Sequence, residues 1–112
     1  MPAHAPGRHD PYESPVDRMG NAALDAIEAG RYDEAERLCA KLLAEYPDQL
    51  DGHHRMGRLR NVQGRFAEAA DHYAKALEIV KRNRTGYDPG LVQLLEKWRQ
   101  DALGKAKAKP QP

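Results

Sequence analysis

The sequence predicts an all-α fold, an array of antiparallel helix hairpins with five helices. Three observations predict it. Alanine is abundant while aromatic residues are few, with one Trp, one Phe and five Tyr, a mix that favours helices over sheets. Apolar residues recur at i, i+3, i+4 and i+7 along most of the chain. Finally, "GRYDEA" at residues 30–35 returns as "GRFAEA" at residues 64–69, 34 residues later. A fixed period with this many matches argues for stacked copies of one supersecondary unit.

Residues 1–14 are rich in Pro, His and Gly and lack periodicity, so a flexible arm is expected there. Ser14-Pro15 starts the first helix. The Ser hydroxyl can accept from an unpaired amide, Pro suits the first helical position, and Asp17 lies three residues after the cap. Met19, Ala22, Ala23 and Ala26 supply its buried face, and Gly30 ends it. The second helix spans about 33–45 on the stripe Ala35, Leu38, Cys39, Leu42 and Leu43, and Tyr46-Pro47 stops it. Asp48 is the expected cap of a third helix that ends near Gln63. The fourth runs from about Ala67 to Arg82 on Ala69, Ala70, Tyr73, Ala76 and Leu77. "RTGYDPG" is a turn cluster, and Asp88-Pro89 restarts a helix with the same cap-then-Pro grammar. Leu91, Leu94, Leu95, Trp98 and Ala102 form the last stripe. The expected organisation is an arm (1–14), a domain (15–103) and a disordered Lys-rich tail (104–112). The domain divides into copy one (16–49), copy two (50–84) and a closing helix (88–103).

Within each copy the shared residues have physical roles. Gly reverses the chain, the aromatic two residues later wedges into the corner, and the small Ala sits where the helices approach most closely. Each hairpin leaves one apolar side open for the next to cover. Gly30, Tyr32, Ala35 and Pro47 in copy one carry the pattern, as do Gly57, Gly64, Phe66, Ala69, Tyr73 and Ala76 in copy two. With these residues, 16–84 resembles the tetratricopeptide repeat family, and the last helix looks like the cap such arrays carry. The resemblance implies a right-handed superhelical array. Three positions depart from the family pattern. His53 stands for a large aromatic, Arg60 for a Tyr, and Lys81 for the Pro that Pro47 supplies in copy one, so the fourth helix is expected to run on.

The resemblance also implies a concave groove lined by the first helix of each pair. Residues left out of the core stripes are then expected to point into it: Asn21, Leu24, Ile27 and Glu28 on the first helix, His54, Arg58 and Asn61 on the third, and Val92, Glu96 and Arg99 on the last. Arg58 is the central candidate, because a guanidinium holds a carboxylate with two parallel hydrogen bonds. His54 and Asn61 stand one turn either side of it. Some family members grip a terminal carboxylate with Lys, Asn and Arg. Asn21 and Arg58 are of those types here, but no lysine lines the groove. Against this stands the plainer reading that Arg55, Arg58 and Arg60 only pair with acids of copy one. Leu24 and Ile27 could be covered by the arm, with Tyr12 or Val16 folding back.

Charge is split. Residues 16–49 carry a net −4 and residues 50–84 a net +4, on a chain whose overall net charge is +1. The expected function is therefore a non-enzymatic module that binds another protein or a peptide, acidic where Arg58 meets it. The alternative is a self-associating scaffold, a homo-oligomer formed through the opposite charges of the two copies or through the last helix. No nucleic acid is expected, because no aromatics interleave the basic stretches. No membrane partner is expected, as no apolar run approaches the ~20 residues of a span. The lone Cys39 excludes an internal disulfide and fits a reducing, cytoplasmic setting. No cofactor is expected, since no phosphate loop is present. Neither is a metal, since no His or Cys pair has zinc-like spacing and the adjacent His53 and His54 point about 100° apart on a helix.

Overall fold

Five helices follow in order in a computed structural model that describes residues 13–83 and 86–108: α1 (Pro15–Glu28), α2 (Tyr32–Glu45), α3 (Asp51–Val62), α4 (Phe66–Arg82) and α5 (Pro89–Ala108). Each packs on the next, and α1 also packs on α3, so α1–α2 and α3–α4 are stacked hairpins with α5 laid on α4. Among the described residues no helix is long and apolar enough to cross a membrane.

Both hairpins turn in the same way. Gly30 and Gly64 each have φ +78°, a left-handed conformation that costs a side-chain-bearing residue energy. In copy one the Arg31 N–H reaches Ala26 O (2.8 Å) and the Gly30 N–H reaches Ile27 O (3.0 Å). In copy two the Arg65 N–H reaches Arg60 O (2.8 Å) and the Gly64 N–H reaches Asn61 O (3.1 Å). This double closure satisfies the last carbonyls of α1 and α3.

The helix starts divide. Ser14 Oγ accepts from the Asp17 N–H at 3.1 Å with Pro15 behind it, and Asp88 Oδ1 accepts from the Gly90 N–H at 2.8 Å, both as expected. Asp48 does not cap α3. The helix begins later, after Leu50, whose side chain is buried in the α4–α5 cluster and draws the chain inward before it can coil. α4 has 17 residues against 14 in α2, the extension that Lys81 permits in place of Pro. α5 continues five residues beyond the expected limit at 103, through the Ala/Lys alternation that suits a helix end. Residues 1–12 of the expected arm and 109–112 of the expected tail lie outside the described residues.

The core forms two clusters. One joins Ala23, Ala26, Ile27, Ala35, Cys39, Met56 and Leu59 across α1, α2 and α3. The other gathers Leu50 with the α4 stripe and with Leu95 and Ala102 of α5. Gly57 lets α3 and α4 close on one another, since a Cβ there would sit 2.7 Å from the Tyr73 ring. The corner aromatics differ from the expectation. Tyr32 is 38% exposed, whereas Phe66 is half-buried with Lys105 Nζ 5.6 Å over its ring. The added length of α5, which runs to Ala108, brings Lys105 there.

Candidate functional site

The structure divides the residues expected in the groove. Arg58 is exposed on α3 and makes no hydrogen bond or ion pair among the described residues. Asn61, one turn on, is half-buried, as are Asn21 and Leu24 on α1. α1 and α3 are neighbours, and Arg55 Nε donates to Gly20 O at 3.0 Å across them. These four residues therefore lie on two adjoining helices. Asn21 is engaged, donating its amide to a Glu13 carboxylate oxygen, so the chain just before α1 folds back onto α1. Tyr12, suggested as a cover for Leu24, lies outside the described residues.

Ile27 leaves the groove. It is buried in the first cluster, because the inward face of α1 runs through Gly20, Ala23 and Ile27. Met19 and Ala22, one residue earlier, are only half-buried. Glu96 also departs. It meets Lys81 of α4 at 3.7 Å and so faces away from α3. Val92 packs against the second cluster beside Val80 and Tyr87, where α4 and α5 leave an apolar cleft of about 400 Å³. Arg99 is half-buried on α5. Leu94, placed on the α5 stripe, is 42% exposed, because the inward face follows Leu91, Leu95, Trp98 and Ala102.

His54 has a partner that the sequence did not reveal. Its ring stacks on Trp98 of α5, with centroids 4.9 Å apart and planes 19° from parallel, and Trp98 also lies 5.9 Å from Tyr73. Arg55 Nη1 lies 3.1 Å from His54 Nδ1. A guanidinium can only donate, so Nδ1 is the acceptor and the ring proton rests on Nε2. Burial, with the charges of Arg55 and Arg58 beside it, pushes His54 down to about 4. The ring is neutral at neutral pH, and its face packs on Trp98.

Arg60 shows where the plainer reading of the arginines applies. With its side chain 10% exposed, it donates from Nη1 and Nη2 to the two carboxylate oxygens of Glu36 at 2.7 and 2.8 Å. Nη1 also donates to Gln63 Oε1 at 3.0 Å, and Glu68 lies 3.8 Å from Nε. The hydrogen bond from Arg60 holds the Glu36 carboxyl below the usual carboxylate range. A cation thus fills the position where the family carries Tyr, and it links α2, α3 and α4. Arg65 is likewise committed to Glu68 through two bonds of 2.7 Å.

Cys39 is fully buried, and burial pushes its thiol up to about 12, as suits a core residue. Among the described residues no group of three or more His, Cys, Asp or Glu side chains is placed to hold a metal. No curated protein and no solved structure matches the chain. The tetratricopeptide repeat family matches residues 26–83, which is over half the chain and contains both of its hairpin turns. Those turns, the stacked hairpins and the close approach at Gly57 agree with that match, and the chain belongs to the tetratricopeptide repeat family.

Proposed function

We propose that this protein is a non-enzymatic interaction module that holds an extended, acidic peptide segment of a partner along the faces of α1 and α3. Arg58 carries the reading. Its neighbours Arg60 and Arg65 are spent on intramolecular carboxylates, while Arg58 projects from α3 with its guanidinium uncommitted among the described residues. A partner carboxylate would complete the fork, with Asn61 beside it and the partly buried Leu24 as the apolar neighbour. Tetratricopeptide repeats mediate protein–protein contacts, which supports the general class. The test is fluorescence anisotropy against a library of acidic peptides, repeated with Arg58→Glu. A charge-assisted bond of this kind contributes about 2 kcal/mol, so affinity falls at least tenfold in the variant. Equal affinities overturn the groove assignment.

Self-association is the second reading. It draws on the −4 and +4 charge of the two copies and on Leu94, exposed on the terminal helix. Sedimentation at low and high salt tests it: a monomer in both removes it.

A further inference from the structure

His53 and His54 are adjacent on α3 and point to different neighbours. His53 Nδ1 meets His72 Nδ1 of α4 at 3.2 Å, with ring centroids 5.4 Å apart. The centroid separation exceeds the nitrogen separation by roughly two ring radii, so the rings meet edge to edge, nitrogen to nitrogen. Such a contact holds only while one nitrogen carries a proton and the other offers a lone pair. His54 in turn stacks on Trp98 of α5, its Nδ1 accepting from Arg55. Both neighbours that follow α3 in the chain are therefore joined to it through imidazoles that use Nδ1 as an acceptor.

We propose that α3, α4 and α5 form an acid-released unit: protonating these histidines detaches α3 from α4 and from α5 while the α1–α2 hairpin stays folded. The chemistry follows from the geometry. The first proton on the His53–His72 pair can enter at the outward Nε2 of the donor ring, and the bond survives as a charge-assisted one. The second must take the acceptor nitrogen, which leaves two N–H groups face to face and two like charges in contact. On His54 a proton at Nδ1 meets the Arg55 guanidinium directly.

The surroundings oppose these charges. Lys75 of α4 repels a proton on either His53 or His72, and Arg60 of α3 repels one on His72. Glu78 and Asp71 of α4 act in the other direction but weigh less than burial, and Glu36 of α2 and Glu68 are engaged by arginines. His54 faces Arg55 and Arg58 of its own helix and the uncharged Trp98 of α5. His72, like His54, is held down to about 4. A base depressed in this way contributes stability that is fully present above its ordinary value of 6.5 and is lost as pH falls from 6.5 towards 4. The α1–α2 hairpin holds no histidine, and its cluster, which takes in Met56 and Leu59 of α3, includes no residue of α4 or α5.

The test follows Trp98 emission and amide hydrogen exchange from pH 7.5 to 4 on the full chain, for wild type and for His54→Phe/His72→Gln. The Phe keeps a ring on Trp98 and takes no proton. In wild type, Trp98 becomes solvent-exposed within that window while α1 and α2 amides stay protected. His54 alone lowers the folding equilibrium of the unit by roughly 10²-fold at the acid end. In the double variant the transition moves down by at least about one pH unit. An unchanged midpoint, or α1 and α2 losing protection at the same pH as α4 and α5, overturns the proposal. Should the variant not fold, ring-proton NMR of the wild type decides: His54 and His72 titrating near 6.5 overturns it, and titration near 4 supports it.

Discussion

Arg60 on α3 grips both carboxylate oxygens of Glu36 on α2, at 2.7 and 2.8 Å, from a side chain that is 10% exposed. The two ends of this pair are unequal, because the Glu36 side chain remains 44% exposed. Water can therefore rehydrate Glu36 but not Arg60. Glu36→Ala leaves a buried cation with only Gln63 and the more distant Glu68, and costs about 2–3 kcal/mol. Arg60→Met keeps the volume and frees a carboxylate that is already half in water, so it stays within about 1 kcal/mol of wild type. Urea unfolding of both variants checks this, and equal losses contradict it.

The same pair gives a pH dependence whose sign is determined. Glu36 is held below its ordinary value of 4.5, chiefly by the hydrogen bond from Arg60. A depressed carboxylate contributes stability that is present above the unfolded value and is lost as pH falls through the folded one. In Glu36→Gln the fall in stability below about pH 4.5 is shallower than in wild type. Parallel unfolding curves at pH 3, 4 and 5 measure it.

Gly57→Ala forces the Tyr73 ring to move, since a Cβ would come within 2.7 Å of it. Tyr73 also touches Trp98, so the shift spreads from α3–α4 to α5. The expected loss is about 1–3 kcal/mol with altered Trp98 emission. Unchanged emission would mean that α5 is not coupled to this contact.

Gly30→Ala has open space around its new methyl but must hold φ +78°. The expected cost of about 1 kcal/mol is therefore backbone strain alone. D-Ala, introduced at residue 30 by chemical synthesis, accepts that φ and should restore the stability.

Cys39 is buried, and its thiol is pushed up to about 12. A thiol reagent at pH 8 should react only as fast as the first hairpin opens. Adding urea below the unfolding midpoint then raises the rate, whereas an exposed thiol would be insensitive to it.

Much of this fold was legible in the sequence because its signals are local. A Gly at each turn, Ser14-Pro15 and Asp88-Pro89 act on atoms a few residues away, and each does so in the structure. The groove was less legible because one residue on a helix turns the side chain by about 100°. Placing Met19 and Ala22 beside Ala23 and Ala26 on the inward face of α1, where Gly20 and Ile27 belong, put Ile27 on the wrong side. The start of α3 was misplaced because the burial of Leu50 against α4 and α5, a tertiary effect, outweighed the local capping preference of Asp48. Arg60 was visible as a departure from the repeat pattern, and Glu36 lies 24 residues before it, beyond the reach of helix periodicity. The His53–His72 meeting did leave a trace. The two residues stand 11 and 8 positions either side of Gly64, close enough to equidistant for two helices of one hairpin to bring them together.

The double closure at Gly30 and Gly64 bears on how such a chain grows. Each turn is satisfied by atoms of its own copy, Ala26 to Arg31 in one and Arg60 to Arg65 in the other. A duplication in register, cut just before Leu50, would carry its turn with it intact and would present the incoming copy with the same kind of α2–α3 seam. Length in this architecture is thus an inherited variable that can change by whole units, while the corner that makes each unit reverse is copied without redesign.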